Sequence, residues 1–171
     1  MNPAVMSEAL ALVARARANG HTGSVGDAAE WERLSSDLGG IIPEWYIELT
    51  TSVPLVGLEI GWQSSEPEQD DDGLAWLYWM GADDTRSEAL EAYPGIAVVR
   101  RGYICVASCL HRTGDQYFIP TNQGDDPPLY NTYHDVGDSA DEILDGGREV
   151  AASSLPEFFR TSRVESRPSY L

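Results

Sequence analysis

The stretch from Tyr103 to Asp135, YICVASCLHRTGDQYFIPTNQGDDPPLYNTYHD, places the tightest limit on what this chain can fold into. Three short apolar runs are separated by two turn signals. Tyr103–Leu110 is the first run, and His111–Asp115 follows it with turn chemistry at Gly114-Asp115, because Gly tolerates positive φ. Gln116–Thr121 is the second run. Asn122–Pro128 is a loop holding Gly124, two Asp and two Pro, and Leu129–His134 is the third run. Runs this short, with turns this frequent, predict an antiparallel meander. In the first run Ile104, Val106 and Leu110 share one parity, and Tyr103, Cys105, Ala107 and Cys109 share the other. Both sets are mostly apolar, so the strand is expected to be central and covered on both faces.

The chain on either side of the meander supplies helices. Ala4–Ala18 is rich in Ala, Leu and Arg, with a broad apolar stripe, Arg15 and Arg17 in its last turn, and Asn19-Gly20 as its stop. Gly20–Gly26 reads as a linker. Asp27 and Glu30 have capping-box spacing ahead of a second helix whose buried stripe is Ala28, Trp31, Leu34 and Leu38. A third, short helix opens at Pro43, where a missing N–H does no harm. Leu55–Trp62 and Leu74–Met80 read as strands, Asp83–Tyr93 as a helix with a capping box from Thr85 and Glu88, and Ile96–Val99 as a short strand. After the meander, Ser139 and Glu142 form a capping box, Glu149–Ala152 continues that helix, and Ser154 and Glu157 open the last one. With no internal repeat and no second core, 171 residues make one α+β domain. Its sheet is mostly antiparallel, of five or six strands, with N- and C-terminal helices packed on it. The expected divisions are an N-terminal helix and linker over 1–26, the main domain over 27–163, and a tail over 164–171.

Charge narrows the chemistry. Twenty-eight acidic residues face eleven basic ones, a formal net charge of −17, and every basic residue is Arg. Without Lys there is no Schiff-base amine, no P-loop Lys and no kinase-type Lys. So acidic a surface repels phosphates, which argues against nucleic acid and anionic membranes as partners and in favour of a basic protein, or simply serves solubility. No signal peptide and no apolar run of membrane-spanning length are evident, so a soluble, cytoplasmic protein is expected. Cys105 and Cys109 lie on one predicted strand, roughly 13 Å apart at about 3.3 Å per residue, too far to bridge. Both are expected as reduced thiols.

Catalytic signatures are sparse. The chain lacks G-x-S-x-G, H-E-x-x-H, a Walker loop, G-x-G-x-x-G and paired C-x-x-C motifs. His21 falls in the linker. His111 and Cys109 share parity about 7 Å apart along a strand, so a nucleophile pair between them needs a bend. His134-Asp135, with Asp115 or Asp125, is the one set that can orient a base or hold a metal, and a strand end followed by a turn accounts for the same residues. Asp70-Asp71-Asp72-Gly73 lacks the alternating ligands of an EF-hand loop and reads as a solvated or partner-facing loop. Trp62, Trp76 and Trp79 occupy strand positions and are expected in the core, with an interface anchor as the alternative for one on an open face. No cofactor and no metal site are expected.

Three separated pieces carry a resemblance. Ile42-Pro43-Glu44-Trp45-Tyr46-Ile47-Glu48-Leu49 is similar to an "LP-x-x-Y/F-x-x-x-L" helix, Gly124-Asp125-Asp126-Pro127-Pro128-Leu129-Tyr130 with His134-Asp135 resembles a "GD-x-P-V-Y-x-x-x-H-D" strand entry, and Ala151–Phe159 is similar to a closing "A-x-S-F-x-E-F-L" helix. In this order they resemble the SUKH superfamily, which joins fungal cell-wall regulators to bacterial immunity proteins of polymorphic-toxin systems. The match runs over roughly Asp27 to Arg163. The chain departs from it at Ser52-Val53-Pro54, where the family often has an "NG" turn, and residues 1–26 have no counterpart in it. The resemblance implies a non-catalytic protein-binding domain that neutralises a toxin. Joined to the charge, it leads to the expectation of an immunity protein against a basic toxin, a nuclease among the candidates. Asp70, Asp71, Asp72, Asp125 and Asp126 are the expected partner-facing residues. A regulatory or scaffolding module without a toxin partner is the alternative, followed by a hydrolase using His134 and nearby carboxylates.

Overall fold

A computed structural model describes residues 1–65, 73–110 and 114–165. Six strands form one sheet in chain order, β1 (Glu59–Trp62), β2 (Ala75–Trp79), β3 (Tyr103–Cys109), β4 (Gln116–Pro120), β5 (Leu129–Thr132) and β6 (Arg148–Ala152). Every neighbouring pair is antiparallel. The meander expected from Tyr103 to Asp135 is its centre, and the fold is a single α+β domain. Helices α1 (Pro3–Ala18), α2 (Ala28–Asp37), α3 (Glu44–Ser52), α4 (Ala82–Glu91), α5 (Gly95–Val98), α6 (Ala140–Gly146) and α7 (Leu155–Thr161) cover it, and Val99–Arg101 adds a 3-10 turn.

One face of the sheet carries the larger core. Ile60, Trp62, Leu77, Trp79, Ile104, Val106, Tyr117 and Leu129 meet the buried stripes of α1, α3 and α7 there. Trp79 stands 5.4 Å from Phe159 and 6.3 Å from Phe158, centroid to centroid, in tilted contacts that add to their area burial. The N-terminal helix belongs to this core, burying Val5, Ala9, Leu12, Val13 and Ala16. Its Arg15 serves a different helix from its own: Nη2 donates to the carbonyls of Phe159 at 2.6 Å and Ser162 at 3.4 Å, at the negative end of α7. The opposite face holds a smaller cluster of Met80, Val98, Cys105, Phe118 and Ile143.

Four local expectations change. Ile96–Val99 lies in helix, with Ile96 N donating to Ala92 O and Val98 N to Pro94 O. The chain there turns so tightly on α4 that a Cβ at Gly95 would fall 2.2 Å from the Glu88 carbonyl oxygen. Glu149–Ala152 is strand, because pairing with β5 satisfies a row of backbone groups that a helix would leave open on the sheet edge. Thr85 and Glu88 form no capping box. They lie buried inside α4, where Thr85 Oγ1 donates to Cys105 O and Glu88 accepts from Gly95 N, while Gly81 takes the cap position. Finally, β3 carries a bulge: Cys105 pairs with Phe118, and Ala107 with Tyr117. Two steps on β3 match one on β4, so Cys105 joins the smaller cluster while Ala107 and Cys109 join the larger. Strict alternation from Cys105 to Cys109 fails at that point. Both cysteines are free thiols.

Candidate functional site

An all-antiparallel meander sends alternate connections to opposite ends of the sheet. The β1–β2, β3–β4 and β5–β6 connections leave from one end, called here the upper end, and the β2–β3 and β4–β5 connections leave from the lower end. Strands of this length hold the ends about 15 Å apart. Asp70, Asp71 and Asp72 lie outside the described residues, while Asp125 and Asp126 lie in the β4–β5 connection of the lower end.

At the upper end, polar side chains brace the sheet where it curls. Gln63 Nε2 donates to the Gly73 carbonyl at 2.8 Å, which ties together the two residues flanking the Asp70–Asp72 connection. Glu149 on β6 reaches across to the end of β1. Its Oε1 accepts from Ser65 N at 2.8 Å, and its Oε2 accepts from Ser64 Oγ at 3.4 Å and from Tyr133 OH at 3.2 Å. Deeper in, Trp62 Nε1 donates to Tyr117 OH at 2.9 Å. Burial raises the Tyr117 phenol well above its ordinary value, so it stays a neutral hydroxyl at any working pH. Trp62, Trp76 and Trp79 are all buried, and none presents an open interface anchor.

Asp115 and His134 meet on the rim of this end. Asp115 Oδ1 accepts from His134 N at 3.1 Å and lies 3.0 Å from Nδ1. A carboxylate on Nδ1 favours the tautomer with the proton there, leaving Nε2 as the acceptor. The Cys109 amide donates to the Asp115 carbonyl at 3.2 Å and fixes the start of β4. These are two of the three members of a triad. Among the described residues no Ser, Thr or Cys is hydrogen-bonded to His134 Nε2, and no group of three His, Cys, Asp or Glu can hold a metal ion. Asp125 is excluded from this set because it sits at the other end. Cys105 is buried, and burial pushes its thiol up, away from the thiolate a nucleophile needs. His111 lies outside the described residues. His21 N donates to Ala16 O at 2.9 Å, where the chain leaves α1.

At the lower end the acids serve the fold. Asp126 faces the Leu155 amide in the first turn of α7, alongside the Ser154 cap. Its Oδ1 is buried without a hydrogen-bond partner, and burial followed by repulsion from Asp125 raises its carboxyl above the usual range. Asp125 Oδ2 stands 3.8 Å from the Met1 amino group. The exposed acids of the upper end, Asp135 and Asp138, flank Val136, which is 41 % exposed. Sequence reasoning named Asp115, His134 and Asp135 but missed Glu149 and Gln63. Glu149 braces a residue 84 positions away, and no spacing rule reaches that far. Set against protein-family models, curated proteins and solved structures, the chain matches none.

Proposed function

We propose that this protein is a non-catalytic binding domain of the SUKH kind, an immunity protein that neutralises a basic protein toxin by covering its working surface. The observation that carries the reading is the formal net charge of −17, joined to an upper end whose rim exposes Asp135 and Asp138. Further support comes from the three motifs. Trp45, Tyr46 and Leu49 of the first are buried in the larger core, as are Leu129 of the second and Leu155, Phe158 and Phe159 of the third. The second and third also touch, through Leu129 pairing with Ala152. The incomplete Asp115–His134 pair favours binding over hydrolysis.

The test is association kinetics against the product of a neighbouring toxin-like gene. Raising salt from about 0.1 M to about 1 M shortens the Debye length from roughly 10 Å to roughly 3 Å. Association is expected to slow by about tenfold or more, with a smaller change in dissociation. Replacing Asp70, Asp71 and Asp72 by Asn is expected to slow association at low salt and leave the melting temperature in place. Salt-insensitive association, unchanged in the triple variant, rejects steering through this end. Failure to bind any neighbouring gene product points instead to a regulatory module.

A further inference from the structure

Five buried side-chain atoms among the described residues have no hydrogen-bond partner: Trp31 Nε1, Tyr46 OH, Trp79 Nε1, Asp126 Oδ1 and Asn131 Oδ1. The first three lie in the aromatic part of the larger core, and Asp126 is at the lower end. Asn131 is placed differently. It is 7 % exposed, stands toward the upper end of β5, and pairs with Tyr117 on one side and Glu149 on the other. Residues directly opposite each other in a sheet share a face, so these three side chains point into the curl. Leaving such an acceptor unmet costs more than replacing it by an apolar group of the same shape. A partnerless amide oxygen at this position therefore points to a donor from outside the chain.

Glu149 supplies charge beside it. The residue is half-buried, its carboxylate accepts from Ser64 Oγ, Ser65 N and Tyr133 OH, and no cation pairs with it among the described residues. Three bonds on about four lone-pair sites leave room for one more donor, and the Asn131 amide oxygen keeps both of its lone pairs. Besides burial, the Cys109, Asp115 and Glu149 side chains raise the Tyr117 phenol, so the same mouth gathers all three. Adjacent strands run about 4.8 Å apart, so one planar guanidinium can bridge an amide oxygen on β5 and a carboxylate on β6. An ammonium is a more strongly hydrated point charge and gives up more on entering a half-buried site.

We propose that the upper end of the curled sheet receives an arginine side chain of the partner protein, its guanidinium donating to Asn131 Oδ1 and to Glu149. The proposal rests on the reading of this protein as a binder of a basic protein, and it gives that reading an anchor. Desolvated arginines near the centre of an interface carry much of the binding energy, whereas exposed rim acids such as Asp135 and Asp138 act on the encounter. A water held by Asn131 also meets the amide, and it makes the opposite prediction for stability.

The probe is N-acetyl-arginine methylamide, titrated into the isotope-labelled full-length protein and followed by NMR at the Asn131 side-chain amide and the Trp62 indole N–H. Saturable binding with a Kd of about 1 mM or tighter is expected. The citrulline analogue, of similar shape but neutral, should not bind in that range, and the lysine analogue should bind at least about fivefold more weakly. Asn131→Leu removes the partnerless oxygen at similar volume. It is expected to weaken the probe at least about tenfold while the melting temperature stays equal or rises. A lower melting temperature shows that the amide serves the fold through a held water, and overturns the proposal. Glu149→Gln, which keeps a carbonyl acceptor, should also weaken the probe at least about tenfold, against less than about twofold for D135N/D138N. Equal losses in those two variants mean diffuse attraction to an acidic surface and overturn it, as does no saturation by about 10 mM. The neighbouring toxin-like gene product separates this claim from the reading beneath it. Equal affinity for that protein in the parent and in Asn131→Leu overturns the arginine anchor and leaves the immunity reading in place. Binding of the probe, with no neighbouring gene product bound, supports the site and rejects the immunity reading.

Discussion

The two ends of the sheet close in different ways. At the upper end the curl is held by polar side chains reaching between strands: Glu149 to Ser64, Ser65 and Tyr133, Trp62 to Tyr117, and Asp115 to His134. At the lower end, where β6 hands over to α7, apolar packing does the work. Leu129 and Leu155 are fully buried there, and Phe158 and Phe159 stack against Trp79. The same residue type consequently has two uses. Asp135 and Asp138 at the upper end stand in solvent, while Asp126 at the lower end is drawn into the first turn of α7. Acidic composition alone does not distinguish a charge displayed to a partner from one committed to a helix start.

The contrast predicts a graded series of substitutions. The largest effect belongs to the lower end. Leu129→Ala removes a fully buried side chain from the main core and is expected to destabilise by about 2–5 kcal/mol, whereas Val136→Ala at the upper rim should stay within about 0.5 kcal/mol. Urea denaturation of the two variants measures the difference, and equal losses would erase the distinction between the ends.

An intermediate effect is expected at the brace. Glu149→Ala removes the acceptor for Ser65 N and for the Ser64 and Tyr133 hydroxyls. Part-exposed donors regain water, so a loss of about 1–2 kcal/mol is expected rather than the full burial penalty. The sharper readout is amide exchange at Ser65, which should accelerate while amides of β4 keep their protection. Unchanged exchange at Ser65 would mean that the brace does not hold the base of the β1–β2 connection.

Asp126 gives the smallest change and an informative sign. Burial raises its folded-state value above the unfolded one, so its neutral form is favoured by folding. The stability this contributes is present at low pH and is lost as pH rises from about 4, the ordinary carboxylate value, through the raised folded value. Asp126→Asn keeps the side-chain shape and removes the ionisation. At pH 7 it should be as stable as the parent or slightly more so. The parent-minus-variant difference should flatten below the ordinary carboxylate value. A clear loss of stability at neutral pH would show that the charge itself holds α7, making Asp126 an ionic cap of the kind that favours the ionised form.

Much of this architecture can be read from the chain. The turns at Gly114 and Asn122–Pro128, the Ser139–Glu142 capping box, and the apolar stripe of α1 are local signals, and each operates over a few residues. The same holds for the absence of a catalytic motif and for the pair of loops rich in Asp. Asp115 and His134 were visible as candidates, since each borders a predicted strand, but their contact was one of two options until the strand order placed Asp125 at the far end.

Tertiary structure decided whatever depends on a distant neighbour. Arg148–Ala152 has no alternating pattern and contains good helix formers, and it becomes a strand because β5 offers an open edge to pair with. Ile96–Val99 is apolar enough for a strand yet coils onto α4 and the Cys105–Phe118 cluster, where no strand edge is available. The bulge at Cys105 sends two cysteines of equal parity to opposite faces. Sequence fixes the spacing of side chains along one element through the covalent geometry of the backbone. Which end of the sheet a loop occupies, and which carboxylate is spent on the fold, depends on hydrogen bonds closed across 84 residues in one case and on burial in the other.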